Sequence, residues 1–236
     1  MAIMKWDQVN EKLYETGVRD CALYVAGENS EHPGDTAYLA GVAWNGLTGV
    51  DENPSGAEAS DLYADDAKYL SLISAEEFGL TITAYTYPTE FEQCDGSANL
   101  GGVVGAVLGQ QERKSFGLCY RTTLGNDTQG NSYGYKLHLV YGCKASPSSK
   151  SYSTINDSPE AIEFSWEVDT TPVAVGKING VDYKPSATIV IDSSQFKDEN
   201  QKKKLNKLLD ALYGTEATEP YLPSPAAVYT ILTTTV

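Results

Sequence analysis

Six carboxylates fall within eighteen positions of one stretch, residues 49–66, GVDENPSGAEASDLYADD: Asp51, Glu52, Glu58, Asp61, Asp65 and Asp66, with no positive charge among them. Carboxylates crowded in this way can cage calcium, can supply the acid and base of a hydrolase, or can belong to a solvated loop whose job is assembly. A calcium loop of the EF-hand kind sets acids at alternate positions, followed by a glycine and a closing glutamate. DENPSGAEASDLYADD does not follow that spacing. Its acids scatter around the loop formers Asn53, Pro54, Ser55 and Gly56, so only weak cation binding is expected there.

Other reactive constellations are thin. His32 and His138 are too few for a histidine-rich metal site, and no G-x-S-x-G nucleophile motif is present to use either. His138, in LHLVY, points away from Leu137 and Leu139 and reads as an ordinary strand histidine. Glu163 and Glu167 in EFSWE leave one strand face beside aromatics, yet four residues at about 3.3 Å each separate them by roughly 13 Å. Glycosidase carboxylate pairs stand about 5–5.5 Å or about 6.5–9.5 Å apart. LGGVVG, residues 100–105, lacks the G-x-G-x-x-G spacing and reads as a flexible loop. The cysteines, Cys21, Cys94, Cys119 and Cys143, contain no C-x-x-C and read as buried or half-buried free thiols. No catalytic residue, cofactor or metal ligand is expected, so the chain is read as a non-enzyme.

The elements that would carry these residues are mostly strands. Sixteen tyrosines against two methionines, with 21 glycines spaced like turns, describe a β-rich chain of 236 residues, long enough to bury a real core. Period-two runs recur. CALYVAG (21–27) sets Cys21, Leu23 and Val25 against Ala22, Tyr24 and Ala26, and GLTITAY sets Leu80, Ile82 and Ala84 on one face. SFGLCYR offers Phe116, Leu118 and Tyr120, YKLHLVY offers Tyr135, Leu137, Leu139 and Tyr141, and IEFSWEV offers Ile162, Phe164, Trp166 and Val168. Each can bury one face and wet the other. LGNDTQGNSYG (124–134) reads as a long hairpin loop and YPTEFEQCDG (87–96) as a short helix. In residues 193–214 the stripe Phe196, Leu205, Leu208, Leu209 and Leu212 predicts a helix capped by Ser193 or Ser194 and closed by Gly214, with Lys202, Lys203 and Lys204 on a solvated face. The proline-rich remainder reads as an extended arm finishing as a strand. The expected fold class is therefore mainly β, an antiparallel sandwich or barrel with a short flanking helix and a C-terminal helix. Residues 1–192 form the β domain and 193–236 the helix and arm.

Charge narrows the partners. The formal balance is −15, and residues 20–112 hold sixteen acids against the single base Lys68. Nucleic-acid affinity comes from lysine and arginine displacing counterions from phosphates, so such a surface should lie beside DNA without gripping it. No apolar run approaches the roughly 20 residues that span a bilayer, and MAIMKWDQVN lacks the layout of a secretory signal, which predicts a cytosolic site of synthesis and no membrane contact.

The order of YETGVRDCALYV (14–25), the run from AWNGLTGVDENPSG to FEQCDG (43–96) and the run from GQQERKSFGLCYR to FSWEVDTTPV (109–173) closely resembles the major tail proteins, or tail-tube subunits, of long non-contractile-tailed bacteriophages and related prophages of Gram-positive bacteria. The resemblance spans about residues 14–192 and extends less distinctly into the helix and arm. It implies a β-sandwich of the tail-tube type whose copies, six to a ring, stack into a tube that conducts DNA during ejection. Implied partners are further copies of the chain and other tail proteins such as tape-measure, tail-tip and terminator proteins, with DNA passing unbound. The implied location is the virion tail, after synthesis in the host cytoplasm. The family's long loop between early strands, which reaches the adjacent ring, corresponds here to about residues 45–68 and so contains the six carboxylates. Without the resemblance, the competing reading is a carbohydrate-binding or adhesin β-sandwich using Tyr133, Tyr135 and Trp166.

Overall fold

A computed structural model describes residues 3–155 and 161–234. Strands in chain order are β1 (Leu13–Val25), β2 (Val42–Ala43), β3 (Leu47–Glu52), β4 (Ser55–Gly56), β5 (Ala59–Ala64), β6 (Ala67–Ile73), β7 (Glu76–Glu77) and β8 (Gly79–Ala84). They continue with β9 (Ala98–Asn99), β10 (Val107–Leu108), β11 (Phe116–Asn126), β12 (Gly130–Ala145), β13 (Phe164–Thr170), β14 (Gly176–Ile178), β15 (Val181–Tyr183) and β16 (Thr188–Asp192). Helices α1 (Glu199–Tyr213) and α2 (Pro225–Thr233) follow. The fold is mainly β and antiparallel, as the alternation predicts.

Eight strands share one sheet in the order β2-β1-β11-β12-β13-β8-β3, with β16 added on β12. The long β12 divides its free edge: Lys136–Val140 pair with β16, while Cys143–Ala145 pair with β13. Gly142 sits at the division with φ 62°, where a Cβ would lie 2.1 Å from the Thr171 carbonyl oxygen, so only glycine lets the strand turn there. The turn folds β13, β8 and β3 back over β1, β11 and β12, and two layers close on one core. That core holds Leu23, Val25, Leu80, Ile82, Phe116, Leu118, Val140 and Trp166. On β8 and β13 the alternate residues do face solvent, as read from their period.

On β1, β11 and β12 they do not. Ala22, Tyr24, Cys119, Leu137, Leu139 and Tyr141 form a second core with Ile191 of β16 and with Leu205, Leu208, Leu212, Leu222 and Val228. The central strands are thus buried on both faces, by the opposing strands on one side and by the C-terminal segment on the other. Burying each of these leucines contributes about 1.5–3 kcal/mol. Tyr24, which looked able to face water, donates inward from its Oη to the Leu212 carbonyl (2.6 Å), and Tyr141, on the apolar face of its strand, donates to the Pro223 carbonyl (2.9 Å). Both bonds hold the C-terminal segment to the sheet. All four cysteines are buried and free.

Four local expectations are corrected. Helix α1 begins at Glu199, capped by Asp198 in a reciprocal box with Gln201, because Ser193–Gln195 form a separate 3-10 turn capped by Asp192. The chain does not end as a strand: Ser224 accepts a hydrogen bond from the Ala227 N–H, Pro225 occupies the first helical position, and α2 follows despite its β-branched residues. The long loop at 124–134 is only a tight turn, since β11 and β12 pair as far as Asn126 and Gly130. The short helix expected at 87–96 is a 3-10 turn at Thr89–Phe91 whose Phe91 is fully buried. Among the described residues no helix is long and apolar enough to cross a membrane.

Candidate functional site

The stretch that opens the sequence problem is not an irregular loop. After β3 the chain leaves the sheet as a β ribbon and returns at β8. The ribbon's rungs are Ser55 with Glu77, Gly56 with Glu76, and β5 with β6 from Ala59–Ile73 to Ala64–Ala67. Gly56 is required near the base: its φ is 80° and a Cβ would meet the Ala75 carbonyl oxygen at 2.2 Å. At the far end Asp65 and Asp66 both have positive φ, 52° and 59°, the type I′ geometry that suits a two-residue hairpin and that aspartate tolerates better than most residues. About ten residues from base to tip reach roughly 33 Å. Every residue from Asp51 to Glu77 is exposed.

One face of this arm is apolar. Cross-strand pairing places Leu62 opposite Leu70 and Ser60 opposite Leu72, so the three leucines share a side, with exposures of 44%, 37% and 55%. Tyr63, Tyr69 and Ile73 are exposed as well. A two-stranded hairpin alone is marginal in water, and among the described residues no third strand or helix covers this one. Sequence reading missed this face, although Leu70 and Leu72 in YLSLI carried the period-two signal beside the more conspicuous acids.

The structure divides the six carboxylates between arm and root. Glu58, Asp61, Asp65 and Asp66 lie on the arm. Asp61 pairs with Lys68 at 2.7 Å and accepts from Ser71, and these two groups hold its carboxyl below the usual range. Asp51 and Glu52 belong to β3 in the main sheet. Asp51 is exposed, whereas Glu52 accepts from Tyr120 Oη at 2.6 Å and lies 3.1 Å from His138 Nδ1.

His138 is therefore more than a strand histidine filling space. It is only 8% exposed and stacks on Tyr120 at 4.7 Å. Its Nε2 faces Thr122 Oγ1 at 3.1 Å, and Thr122 gives its own proton to Glu15. The ring thus lies between Thr122 Oγ1 and Glu52 Oε1, with Glu15 Oε1 3.7 Å from Nε2. Lys136 completes the cluster by pairing with Glu15. Glu15, Glu52, Tyr120, Thr122, Lys136 and His138 come from β1, β3, β11 and β12, and each polar group is turned onto another member. The cluster ties the root of the arm to the central strands.

Burial pushes the Glu15 carboxyl up, but hydrogen bonds from Lys136 and Thr122, with the Lys136 and His138 charges, more than offset it and hold the group below its ordinary range. A carboxylate whose folded pKa is depressed contributes stability that is present above its unfolded value, about 4.3, and is lost as pH falls through the folded value. Glu15→Gln is accordingly expected to lower the urea midpoint at pH 6 and to approach the native chain as pH falls through the folded pKa, where the carboxyl takes up its proton. A difference that stays constant as the pH is lowered would show that Glu15 does not act through its charge.

The remaining candidates are placed elsewhere. Glu163, just before β13, accepts from Thr48 Oγ1 at the surface. Trp166 is fully buried, and Tyr135 lies under the Arg121 guanidinium at 4.7 Å, with Tyr213 also 4.7 Å from that group. Beside Arg121 is a cleft of about 470 Å³ walled by Val42, Trp44, Leu212 and Pro220, in which the guanidinium already pairs with Asp20 at 3.3 Å. Among the described residues no three His, Cys, Asp or Glu side chains converge as a metal site. A scan against protein-family models finds no match to this chain, and a search of curated proteins finds none either.

Proposed function

We propose that this chain is a structural subunit that assembles with copies of itself into stacked rings, six copies to a ring, forming the tube of a phage tail through which DNA passes during ejection. The observation that carries the reading is the arm: a ribbon roughly 33 Å long, exposed throughout, with a leucine face and no covering element among the described residues. The resemblance of residues 14–192 to tail-tube subunits supplies the kind of assembly. A repeated head-to-tail contact closes into a ring, and an arm leaving the ring plane can reach the next one. The carboxylate excess suits a conduit, because acids facing a channel repel phosphates and let DNA slide without counterion-release binding. Its partners are then its own copies first, with tape-measure, tail-tip and terminator proteins at the ends of the tube.

Electron microscopy and sedimentation of the purified chain test this. Rings or tubes whose abundance rises with concentration are the expected result. A strictly monomeric chain that binds sugars on a glycan array would overturn it in favour of a carbohydrate-binding module. Trp166 gives that alternative little support, because its ring lies wholly inside the core.

A further inference from the structure

The arm has an adhesive face but too much charge of one sign to dock on another arm. Residues 54–77 carry Glu58, Asp61, Asp65, Asp66, Glu76 and Glu77 against Lys68, which is already paired with Asp61. Among the described residues the other five acids have no ion-pair partner. Positive charge is as unevenly placed. Of the chain's 17 lysines and arginines, Lys197, Lys202, Lys203, Lys204 and Lys207 lie on α1 or just before it. Leu205, Leu208 and Leu212 turn to the sheet, which leaves Lys202, Lys203, Asn206 and Lys207 outward, with Lys203 and Lys207 one turn apart. Lys204 donates to the Thr233 carbonyl and Lys202 to Glu199, while Lys203 and Lys207 have no carboxylate partner among the described residues. Glu199 and Asp210 bracket this patch without neutralising it.

The geometry points to docking of one copy's arm across the outer face of α1 in a second copy, with Asp65 and Asp66 meeting Lys203 and Lys207. This rests on the assembly reading and names its receiving surface. Lysine is suited to the task because its four-carbon stem covers apolar surface while the ammonium stays wet, so the stems lie over Leu62 and Leu70, the leucines nearest the tip. Exposed ion pairs add little affinity individually. The leucines supply adhesion, and the charges select partner and register.

A zero-length carbodiimide joins a carboxylate to an amine only where they touch. With an equal mixture of isotopically light and heavy chains, it is expected to yield mixed-isotope peptides linking the arm tip to Lys203 or Lys207. Lys203→Glu/Lys207→Glu and Asp65→Asn/Asp66→Gly, the latter keeping a type I′ turn, should each raise the critical concentration about tenfold at ~0.1 M salt, the size expected of a few screened pairs. Combining them should recover part of the loss, because a neutral tip no longer meets glutamates. Unchanged far-UV spectra and melting temperatures keep the comparison fair. Cross-links to Lys144, Lys177 or Lys184 instead, or strictly additive losses, overturn the receiving face while leaving assembly intact. A native chain that neither assembles nor cross-links overturns both.

Discussion

Replacing residues 54–77 with an Asp-Gly dipeptide is expected to abolish rings and tubes while the body of the protein folds as before. The arm leaves β3 and returns to β8, which are already neighbours in the main sheet, with Asn53 donating to the Gly79 carbonyl at 2.8 Å. A tight turn can therefore close the gap, and two-residue loops of this kind favour Asp-Gly. None of the removed residues is buried, so the deletion takes no side chain from either core. Shortening a loop also lowers its closure entropy, so the melting temperature should hold or rise slightly. Sedimentation should show one small species at every concentration. Tubes of normal appearance would show that the arm is not the adhesive element, whatever other surfaces do.

The second large effect concerns stability. Trp166 is fully buried, and its ring lies 5.2–5.8 Å from those of Trp44, Tyr87, Phe91 and Phe164, joining β13 to the chain around β2 and to the 3-10 turn. Trp166→Ala removes the centre of that aromatic group and is expected to cost about 3–5 kcal/mol. For a chain of this size that is a fall in melting temperature of about 6–20 °C. Trp166→Phe should cost markedly less, because the indole N–H has no hydrogen-bond partner among the described residues and its removal relieves an unsatisfied donor. Equal losses from both substitutions in calorimetry would indicate that the N–H is satisfied and that ring size is not the governing factor.

The two results separate the parts of the molecule. The first variant should lose assembly and keep stability. The second should lose stability in every oligomeric state. The lysine and tip variants fall between, since they alter the choice of contact without touching either core.

How far the sequence reaches depends on the range of the interaction concerned. Leu80, Ile82 and Ala84, and Phe164, Trp166 and Val168, alternate because each strand has one wet face, and that pattern is local enough to read directly. The stop at Gly214 and the stripe Leu205, Leu208 and Leu212 are local too, and α1 carries both. The start of α1 was less legible, because Ser193, Ser194 and Asp198 are all able caps and only packing decided among them. At α2 the local signal existed in the Ser224–Pro225 pair, but the β-branched residues after it favoured a strand. Burial of Val228 against the sheet outweighed their intrinsic preference.

By itself, then, the sequence determined the β class, the strand faces of β8 and β13, the helical leucine stripe, the uneven charge, and the position of the acidic segment between two strands. Only tertiary structure decided that Ala22, Tyr24 and Cys119, opposite the faces read as apolar, are buried as well, because their cover arrives from residues 196–232, far along the chain. It also decided that Glu15, Glu52 and His138 meet, and that the acidic segment is a ribbon standing clear of the body rather than a coil lying on it. The reason is one of range. Alternation, caps and turns are set by neighbours a few positions apart, whereas what covers a face, and what a face is left to cover, depends on where distant segments are carried by the fold.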